Sequence, residues 1–287
     1  MMKAVITGAD GQLGLAFQQE LKRRGIPYWG SDAATCNITR REEVEAMLEA
    51  RRPTVLINCA AYNQVDHAET DPAGAFEVNA QAVKILAEAC QARGIKFVHY
   101  STDYVFDGRK GAFYTEDDAP APLNVYGRSK LDGEVFARTL ATDHLVLRTS
   151  WVYGEGKQNF LYKFLGWAAA NDVLRISADE VSVPTYADDL VAVTLRAIDS
   201  GLTGLYHAPS SGYASRYEWA RYFLKAAGFS NLVIPVPLSY FKPKVERPVF
   251  SAMSNRAITT ALGIRIPEWQ EGVETYVKIY LEKQPCR

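Results

Sequence analysis

Tyr126 and Lys130 stand four residues apart in the stretch Val125-Tyr126-Gly127-Arg128-Ser129-Lys130. On a helix that spacing puts a phenol and an ammonium on one face. A tyrosine ionises near pH ~10 in water and does little acid–base work at neutrality. A lysine cation beside it favours the phenolate and brings its pKa toward the working range. The same spacing also fits an ordinary amphipathic helix face, so its meaning depends on what else the chain supplies.

A second chemical element lies at the start of the chain. Lys3-Ala4-Val5-Ile6-Thr7 is a short, β-branched apolar run and predicts a buried strand. Gly8-Ala9-Asp10-Gly11-Gln12-Leu13-Gly14 follows, and Leu13, Phe17 and Leu21 then recur at helical spacing until Gly25 ends the helix. In such a strand–turn–helix unit Gly8 permits the tight turn and Gly11 lets a pyrophosphate approach the backbone. Gly14 lets helix and strand pack closely. The helix N-terminus offers free N–H groups and a partial positive charge to phosphates. The spacing is Gly-x-x-Gly-x-x-Gly rather than Gly-x-Gly-x-x-Gly. Asp32 lies 18 residues beyond Gly14, at the end of an expected second strand over Pro27-Tyr28-Trp29-Gly30. An acid there binds adenosine ribose hydroxyls, and with no adjoining arginine it favours NAD(H) over NADP(H). A loop aspartate is also ordinary turn chemistry.

The elements that must position these groups alternate. Helices are expected over Arg40–Arg51, Ala73–Arg93 and Tyr126–Leu140, and strands over Thr54–Asn58, Ile95–Tyr100 and His144–Arg148. That alternation predicts an α/β, Rossmann-type doubly wound parallel sheet with helices on both faces. Beyond residue 150 the rhythm loosens. Helices are expected at Asn159–Ala170, Ala187–Ser200, Arg216–Ala227 and Glu268–Glu282, with an extended loop or edge strand at Glu180–Thr185 and a strand at Gly204–His207. Residues 1–150 are accordingly expected to form an NAD(P)-binding domain. Residues 151–287 should form a smaller, mainly substrate-binding α/β domain, some segments of which return to the first. Ligands of open α/β sheets bind beyond the carboxyl ends of the strands, so the second half should choose the substrate.

Composition narrows the class. With 32 basic and 33 acidic residues the net charge is −1, which points to neither a nucleic-acid nor a membrane-surface partner. No apolar run reaches the ~18 residues that span a bilayer, and because the N-terminus goes straight into an expected strand, no signal peptide is expected. Cys36, Cys59, Cys90 and Cys286 are scattered and read as reduced thiols of a cytoplasmic protein. His67, His99, His144 and His207 are isolated and read as structural, so no metal centre is expected.

The strand ending at Tyr100 delivers Ser101-Thr102-Asp103 to its carboxyl end, 24 residues before Tyr126 when counted from Thr102. Asn58-Cys59-Ala60-Ala61 closes another strand with small residues where a nicotinamide ribose could approach the backbone. Together with Val65-Asp66-x-Ala68-Glu69, Val78-Asn79-Ala80, His99 through Phe106, Pro122 through Lys130 and Arg148 through Gly154, these motifs resemble the extended short-chain dehydrogenase/reductase superfamily. Within it the chain is similar to the dTDP-4-dehydrorhamnose reductase family. Fainter similarity at Pro184-Thr185 and Arg247-Pro248 extends the resemblance over nearly the whole chain.

The resemblance implies reduction, with NADPH or NADH, of the C4 ketone of a dTDP-linked 6-deoxy-4-ketohexose. Tyr126 would give the proton, Lys130 would hold the nicotinamide ribose and lower the phenol's pKa, and Thr102 would orient the ketone oxygen. It implies cofactor contacts from Gly8, Asp10, Gly11, Gln12, Leu13, Gly14, Asp32, Cys59, Ala60, Ala61, Tyr62 and Asn79, besides Tyr126 and Lys130. Substrate contacts would come from Thr102, Asp103, Val105, Trp151, Asn159 and Arg247. Trp151 could equally be core, Arg247 a surface ion pair, and Asp103 only a brace for the loop carrying Thr102. A homodimer is admissible as its assembly. Two departures stand out: Asn37 replaces a frequent aspartate and reads as a helix cap, and Ala16 replaces an acid linked in some relatives to an interfacial metal. Two other readings remain: a reductase or epimerase of another nucleotide-linked 4-ketosugar, or a non-catalytic regulatory subunit resembling the methionine adenosyltransferase β subunit. Dehydratases place Asp-Glu after the threonine, whereas Asp103 here precedes Tyr104.

Overall fold

The computed structural model describes residues 2–156 and 159–281, so Cys286 and Glu282 lie outside the described residues. Six parallel strands form the central sheet: β1 (Ala4–Thr7), β2 (Tyr28–Ser31), β3 (Val55–Asn58), β4 (Lys96–Thr102), β5 (His144–Thr149) and, from the second half, Gly204–His207. The spatial order is β2-β1-β3-β4-β5 and then Gly204–His207. Chain direction across the sheet reverses between β1 and β3, which makes their carboxyl ends the switch point where such sheets bind ligands. β1, β3 and β4 are buried along their whole length, as the strands of a doubly covered parallel sheet must be.

Register explains the two cores. Val5, Leu56 and Phe97 are matched across three strands, as are Ile6, Ile57 and Val98. Side chains alternate along each strand, so the second set faces one layer of helices and the first set the other. One layer comprises α1 (Gln12–Arg23) and, much later, Ala187–Asp199, which bring Phe17, Leu21, Leu190 and Val191. The opposite layer comprises α2 (Arg41–Arg51), α5 (Ala82–Gln91) and α6 (Val125–Leu140), which bring Val44, Leu48, Val83, Leu86 and Ala137. Each large apolar side chain removed from water in this way contributes roughly 1.5–3 kcal/mol before conformational entropy is counted.

Between β3 and α5 lie two short helices, α3 (Val65–Ala68) and α4 (Pro72–Phe76). The single helix expected over Ala73–Arg93 is interrupted by a π-turn at Glu77–Gln81, which contains Asn79. Such wide turns are concentrated at functional sites. Asn37 does not cap α2, as the sequence suggests. Arg40 occupies that position, and the Asn37 Oδ1 accepts from Thr39 N at 3.1 Å in a turn ahead of the helix.

The second half has a core of its own. β6 (Val152–Tyr153) pairs with β9 (Thr185–Tyr186), β7 (Val173–Ser177) with β12 (Leu232–Val236), and β8 (Val181–Ser182) antiparallel with β11 (Ala214–Ser215). Helices α7 (Phe160–Ala170), α9 (Arg216–Ala226) and α11 (Trp269–Tyr276) pack Phe164, Trp219, Phe223 and Trp269 together. In contrast, α8 (Ala187–Asp199), β10 (Gly204–His207) and α10 (Arg256–Leu262) join the core of the first half. None of the described helices is long and apolar enough to cross a membrane.

Candidate active site

The glycine turn lies at the switch point. Gly8 has φ +68°, and a Cβ there would sit 2.6 Å from Ala60 N, so only glycine lets the turn meet the end of β3. A Cβ at Gly14 would overlap the Gly8 carbonyl. Helix α1 begins after Gly11 with no side-chain cap, which leaves its first N–H groups available to an anion. The Gln12 Oε1 is buried there without a partner. Asp32 follows β2 and bends back: its Oδ1 accepts from Ala34 N at 3.0 Å and Thr35 N at 2.8 Å. Thr35 above all, with Asp10 among the smaller influences, holds this carboxyl below its usual range. Asp32 is thus a turn aspartate and an acid facing the glycine turn at once. The residues fit a dinucleotide: a bare backbone for the pyrophosphate, a helix N-terminus and an acid for the ribose hydroxyls.

Beneath this turn Thr7, Asn58 and His99 form a buried polar row across three strands. Thr7 Oγ1 donates to Asn58 Oδ1 at 2.7 Å, and Asn58 Nδ2 meets His99 Nδ1 at 3.1 Å. Burial holds the His99 imidazole well below its normal pKa, hence neutral. Asn58 Oδ1 also accepts from Ala60 N at 3.2 Å, fixing the exit of Cys59, Ala60 and Ala61. Asn79 does the same for Tyr62. Its Oδ1 accepts from Tyr62 N at 2.8 Å, and its Nδ2 donates to Tyr62 O and to Ser129 Oγ, both at 3.0 Å. The amide of Asn79 is therefore occupied in clamping the loop to α6.

Asn124 starts α6, its side chain accepting from Gly127 N at 2.8 Å. The helix approaches its neighbours closely because Gly127 abuts Tyr104 O and Gly133 abuts Asn79 O, where a Cβ would overlap either oxygen. Lys130, one turn beyond Tyr126, is buried, and its Nζ donates to Tyr100 O at 2.6 Å. Burial lowers its pKa to about 8, with Glu134 and Cys59 acting in the opposite sense. The half-buried Tyr126 lies edge-on to Tyr104, with centroids 5.7 Å apart. The expected lowering of its phenol by Lys130 is not realised. Desolvation pushes Tyr126 up to about 12, and the hydroxyl of Thr102, as hydrogen-bond partner, offsets part of that. Physically, the ammonium is turned to a carbonyl, leaving burial as the dominant influence on the ring. The phenol is protonated at neutral pH, the form a proton donor requires.

Thr102 ends β4 and caps the following turn, its Oγ1 accepting from Tyr104 N at 3.2 Å and donating to Asp103 Oδ1 at 3.1 Å. Asp103 is 2 % exposed, and its Oδ2 accepts from Ser182 at 2.7 Å and Ser251 at 2.6 Å. Buried polar atoms without partners gather at the carboxyl ends of β4 and β5: Ser101 Oγ, Thr149 Oγ1 and Trp151 Nε1. Buried polar groups are nearly always satisfied in a complete assembly, so such a group of orphans marks a place for a polar ligand.

The remaining sequence-derived contacts fall differently. Trp151 adopts φ +43°, strained for a bulky residue. It stacks on Trp219 at 5.8 Å and carries the Arg216 guanidinium 3.6 Å from its ring centre. It therefore packs on the second core while staying partly exposed. Asn159 is buried and caps α7: it accepts from Tyr162 N at 2.8 Å and donates to Gly154 O at 3.0 Å and Gly156 O at 3.1 Å. Val105 is fully buried in a cluster with Phe106, Tyr114 and Met253. Arg247 forms an ion pair with Asp66 at 2.8 Å and 2.9 Å, while its Nε is buried without a partner.

Sequence reasoning misses Glu134, Ser182 and Ser251. Glu134 lies four residues after Lys130 and, fully buried, takes a bidentate pair from Arg148 at 2.8 Å and 2.7 Å. Its spacing from Lys130 along the helix is a readable signal. The serines carry none, being common residues with no spacing that links them to Asp103 along the chain. Among the described residues no three His, Cys, Asp or Glu side chains cluster as metal ligands do.

The chain is similar in sequence and fold to known proteins. A dTDP-4-dehydrorhamnose reductase from Sinorhizobium fredii is 35 % identical over 287 residues, spanning 96 % of this chain and 97 % of that protein. The crystal structure of a dTDP-4-dehydrorhamnose reductase from Clostridium acetobutylicum superposes with TM-score 0.94 at 33 % identity, covering 98 % of this chain and all (100 %) of the other. A dTDP-4-dehydrorhamnose reductase from Bacillus anthracis, solved in complex with NADP, gives 0.93 at 34 % identity, covering 96 % and 98 %. The family model described as the RmlD substrate binding domain matches residues 2–282. With sequence and fold matching along nearly its whole length, the chain belongs to the RmlD family, the dTDP-4-dehydrorhamnose reductases of the extended short-chain dehydrogenase/reductase superfamily.

Proposed function

We propose that this protein reduces the C4 ketone of dTDP-4-dehydro-L-rhamnose to the alcohol of dTDP-L-rhamnose, with NADPH or NADH. The observation that carries this reading is the convergence of a protonated Tyr126, the Thr102 hydroxyl beside it and the Lys130 ammonium one helical turn away. Thr102 ends β4, to which Lys130 is bonded through Tyr100 O, and β1 of the same sheet leads into the uncapped N-terminus of α1, which suits a pyrophosphate.

The reduced nicotinamide supplies the hydride when bound. Tyr126 gives its phenolic proton to the oxygen that becomes the C4 hydroxyl, so no free alkoxide has to form. Thr102 donates a hydrogen bond to the same oxygen, placing a fixed dipole where negative charge develops. Lys130 uses one Nζ proton on Tyr100 O, and its remaining donors hold the nicotinamide ribose hydroxyls. The carboxylate of Asp32 holds the adenosine ribose, and Gly8, Gly11 and Gly14 with the first turn of α1 hold the phosphates. Residues 151–287 supply the sugar-nucleotide side, with Trp151 along the sugar and Arg247 exchanging Asp66 for a phosphate. The unpaired thiols of Cys36, Cys59 and Cys90 suit a reducing compartment, and we place the reaction in the cytoplasm, with a homodimer as the assembly to test by light scattering.

The test is loss of nicotinamide absorbance on adding dTDP-4-dehydro-L-rhamnose made in place from dTDP-glucose. Turnover abolished by Tyr126→Phe supports the reading, and comparing the two cofactors in one assay ranks them. A wild-type protein that binds NADPH yet turns over only a GDP- or UDP-linked ketosugar would replace the substrate assignment.

A further inference from the structure

The Asp103 carboxylate is held by three hydroxyls from three distant parts of the chain. Thr102 adjoins it, Ser182 lies 79 positions away and Ser251 lies 148 away. All four residues are buried. The serines are set side by side by main-chain bonds: Ser251 N donates to Val181 O at 2.9 Å, and Val181 N to Val249 O at 2.8 Å. Both serines bind Oδ2, so Thr102 is the side chain on Oδ1. Its bond is also the longest of the three, at 3.1 Å against 2.7 Å and 2.6 Å.

A threonine hydroxyl has a single proton. Here it points to Asp103, whereas orienting a ketone requires it to point to the substrate. An unsatisfied buried carboxylate would hold that proton strongly, because charge-assisted bonds are the strong ones and burial strengthens them. Two serine donors on the other oxygen reduce that demand. Burial pushes the Asp103 carboxyl up, and the bonds from Ser251, Ser182 and Thr102 draw it back, in that order.

We propose that Ser182 and Ser251 are positioning residues for ketone reduction: by satisfying Asp103, they release the Thr102 hydroxyl proton to the substrate oxygen. The proposal rests on the reductase reading above and adds two residues that touch neither cofactor nor reacting atoms. It also gives the second half a task in catalysis besides choosing the substrate.

The test compares wild type with Ser182→Ala, Ser251→Ala and the double variant, measuring kcat, KM for the ketosugar nucleotide, Kd for NADPH and thermal midpoint. Each single variant leaves one serine donor and should lose little. The double variant should lose about tenfold in kcat, the scale of one charge-assisted bond made or withheld, with KM and Kd within about twofold. Adding Asp103→Asn to the double variant removes the charge that grips Thr102 and should recover several-fold of the loss. A double variant with unchanged kcat overturns the proposal. So does a loss matched by falling cofactor affinity or thermal midpoint, or one that Asp103→Asn fails to relieve. Amide exchange at Tyr104, whose N–H is bonded to Thr102 Oγ1, reads the latch without substrate. Slower exchange in the double variant supports the latch even if wild type proves inactive on this sugar, and unchanged or faster exchange refutes it.

Discussion

Tyr126 and Thr102, proposed above to act on one oxygen, are held in place by different means. Tyr126 is placed by a helix: Asn124 caps it, and Lys130 and Glu134 follow on the same face at four-residue steps. Its place relative to Lys130 is set within one stretch of chain, although the helix as a whole is seated against Asn79, Tyr100 and Tyr104. Thr102 ends a strand, and its hydroxyl is governed by a carboxylate whose other partners come from β8 and from the segment around Ser251. The first arrangement survives whatever preserves α6, whereas the second requires both halves of the molecule to be in place. The lesson is that a catalytic group on a helix can be specified locally, while one at a strand end needs the tertiary structure to direct it.

Four experiments bear on that contrast. Tyr126→Phe removes the proton donor and leaves the helix, so kcat should fall about 10²–10⁴-fold with thermal midpoint and NADPH affinity retained. Glu134→Ala attacks what anchors α6 to β5. It strands the buried Arg148 guanidinium and should cost about 3–5 kcal/mol of stability, measured by denaturant unfolding. Thr102→Val breaks the non-local arm alone. It should reduce kcat about 10²-fold with little change in cofactor Kd, and its thermal midpoint should stay near wild type.

The smallest effect is in pH. Burial sets the Lys130 pKa near 8, so its charge is present below that value and lost as pH rises through it. Tyr126, pushed up to about 12, stays protonated throughout this window. NADPH affinity should therefore weaken above pH about 8, while single-turnover reduction at saturating cofactor should stay level. Glu134 is the first group favouring the charged lysine, so Glu134→Gln should move the limb to lower pH. An alkaline limb that disappears in Tyr126→Phe would show instead that the phenol sets it.

The local patterns account for most of what was legible. The parallel sheet, the glycine turn, the helix carrying Tyr126 and Lys130 and the Ser101-Thr102-Asp103 strand end can be read along the chain, because each depends on neighbours a few residues apart. The π-turn at Glu77–Gln81 could not be read, since an apolar helical pattern continues through it. Trp151 was ambiguous for a related reason: an indole can serve packing or a ligand, and its strained backbone and unpartnered Nε1 appear only in the structure. Asn159 and Val105 look like pocket residues by position, yet the structure gives one to a helix cap and the other to a packed cluster.

By itself the sequence determined which groups this protein has for chemistry and on which elements they ride. A four-residue helical step and a two-residue strand alternation are properties of the backbone, independent of the rest of the fold. Only the tertiary structure decided that Gly204–His207 lies beside β5 and that Ala187–Asp199 packs beside α1. It also decided that Lys130 turns to Tyr100 and that two serines from the second half hold Asp103. These are contacts between segments brought together by burial of apolar surface, a force without direction that leaves no spacing in the chain.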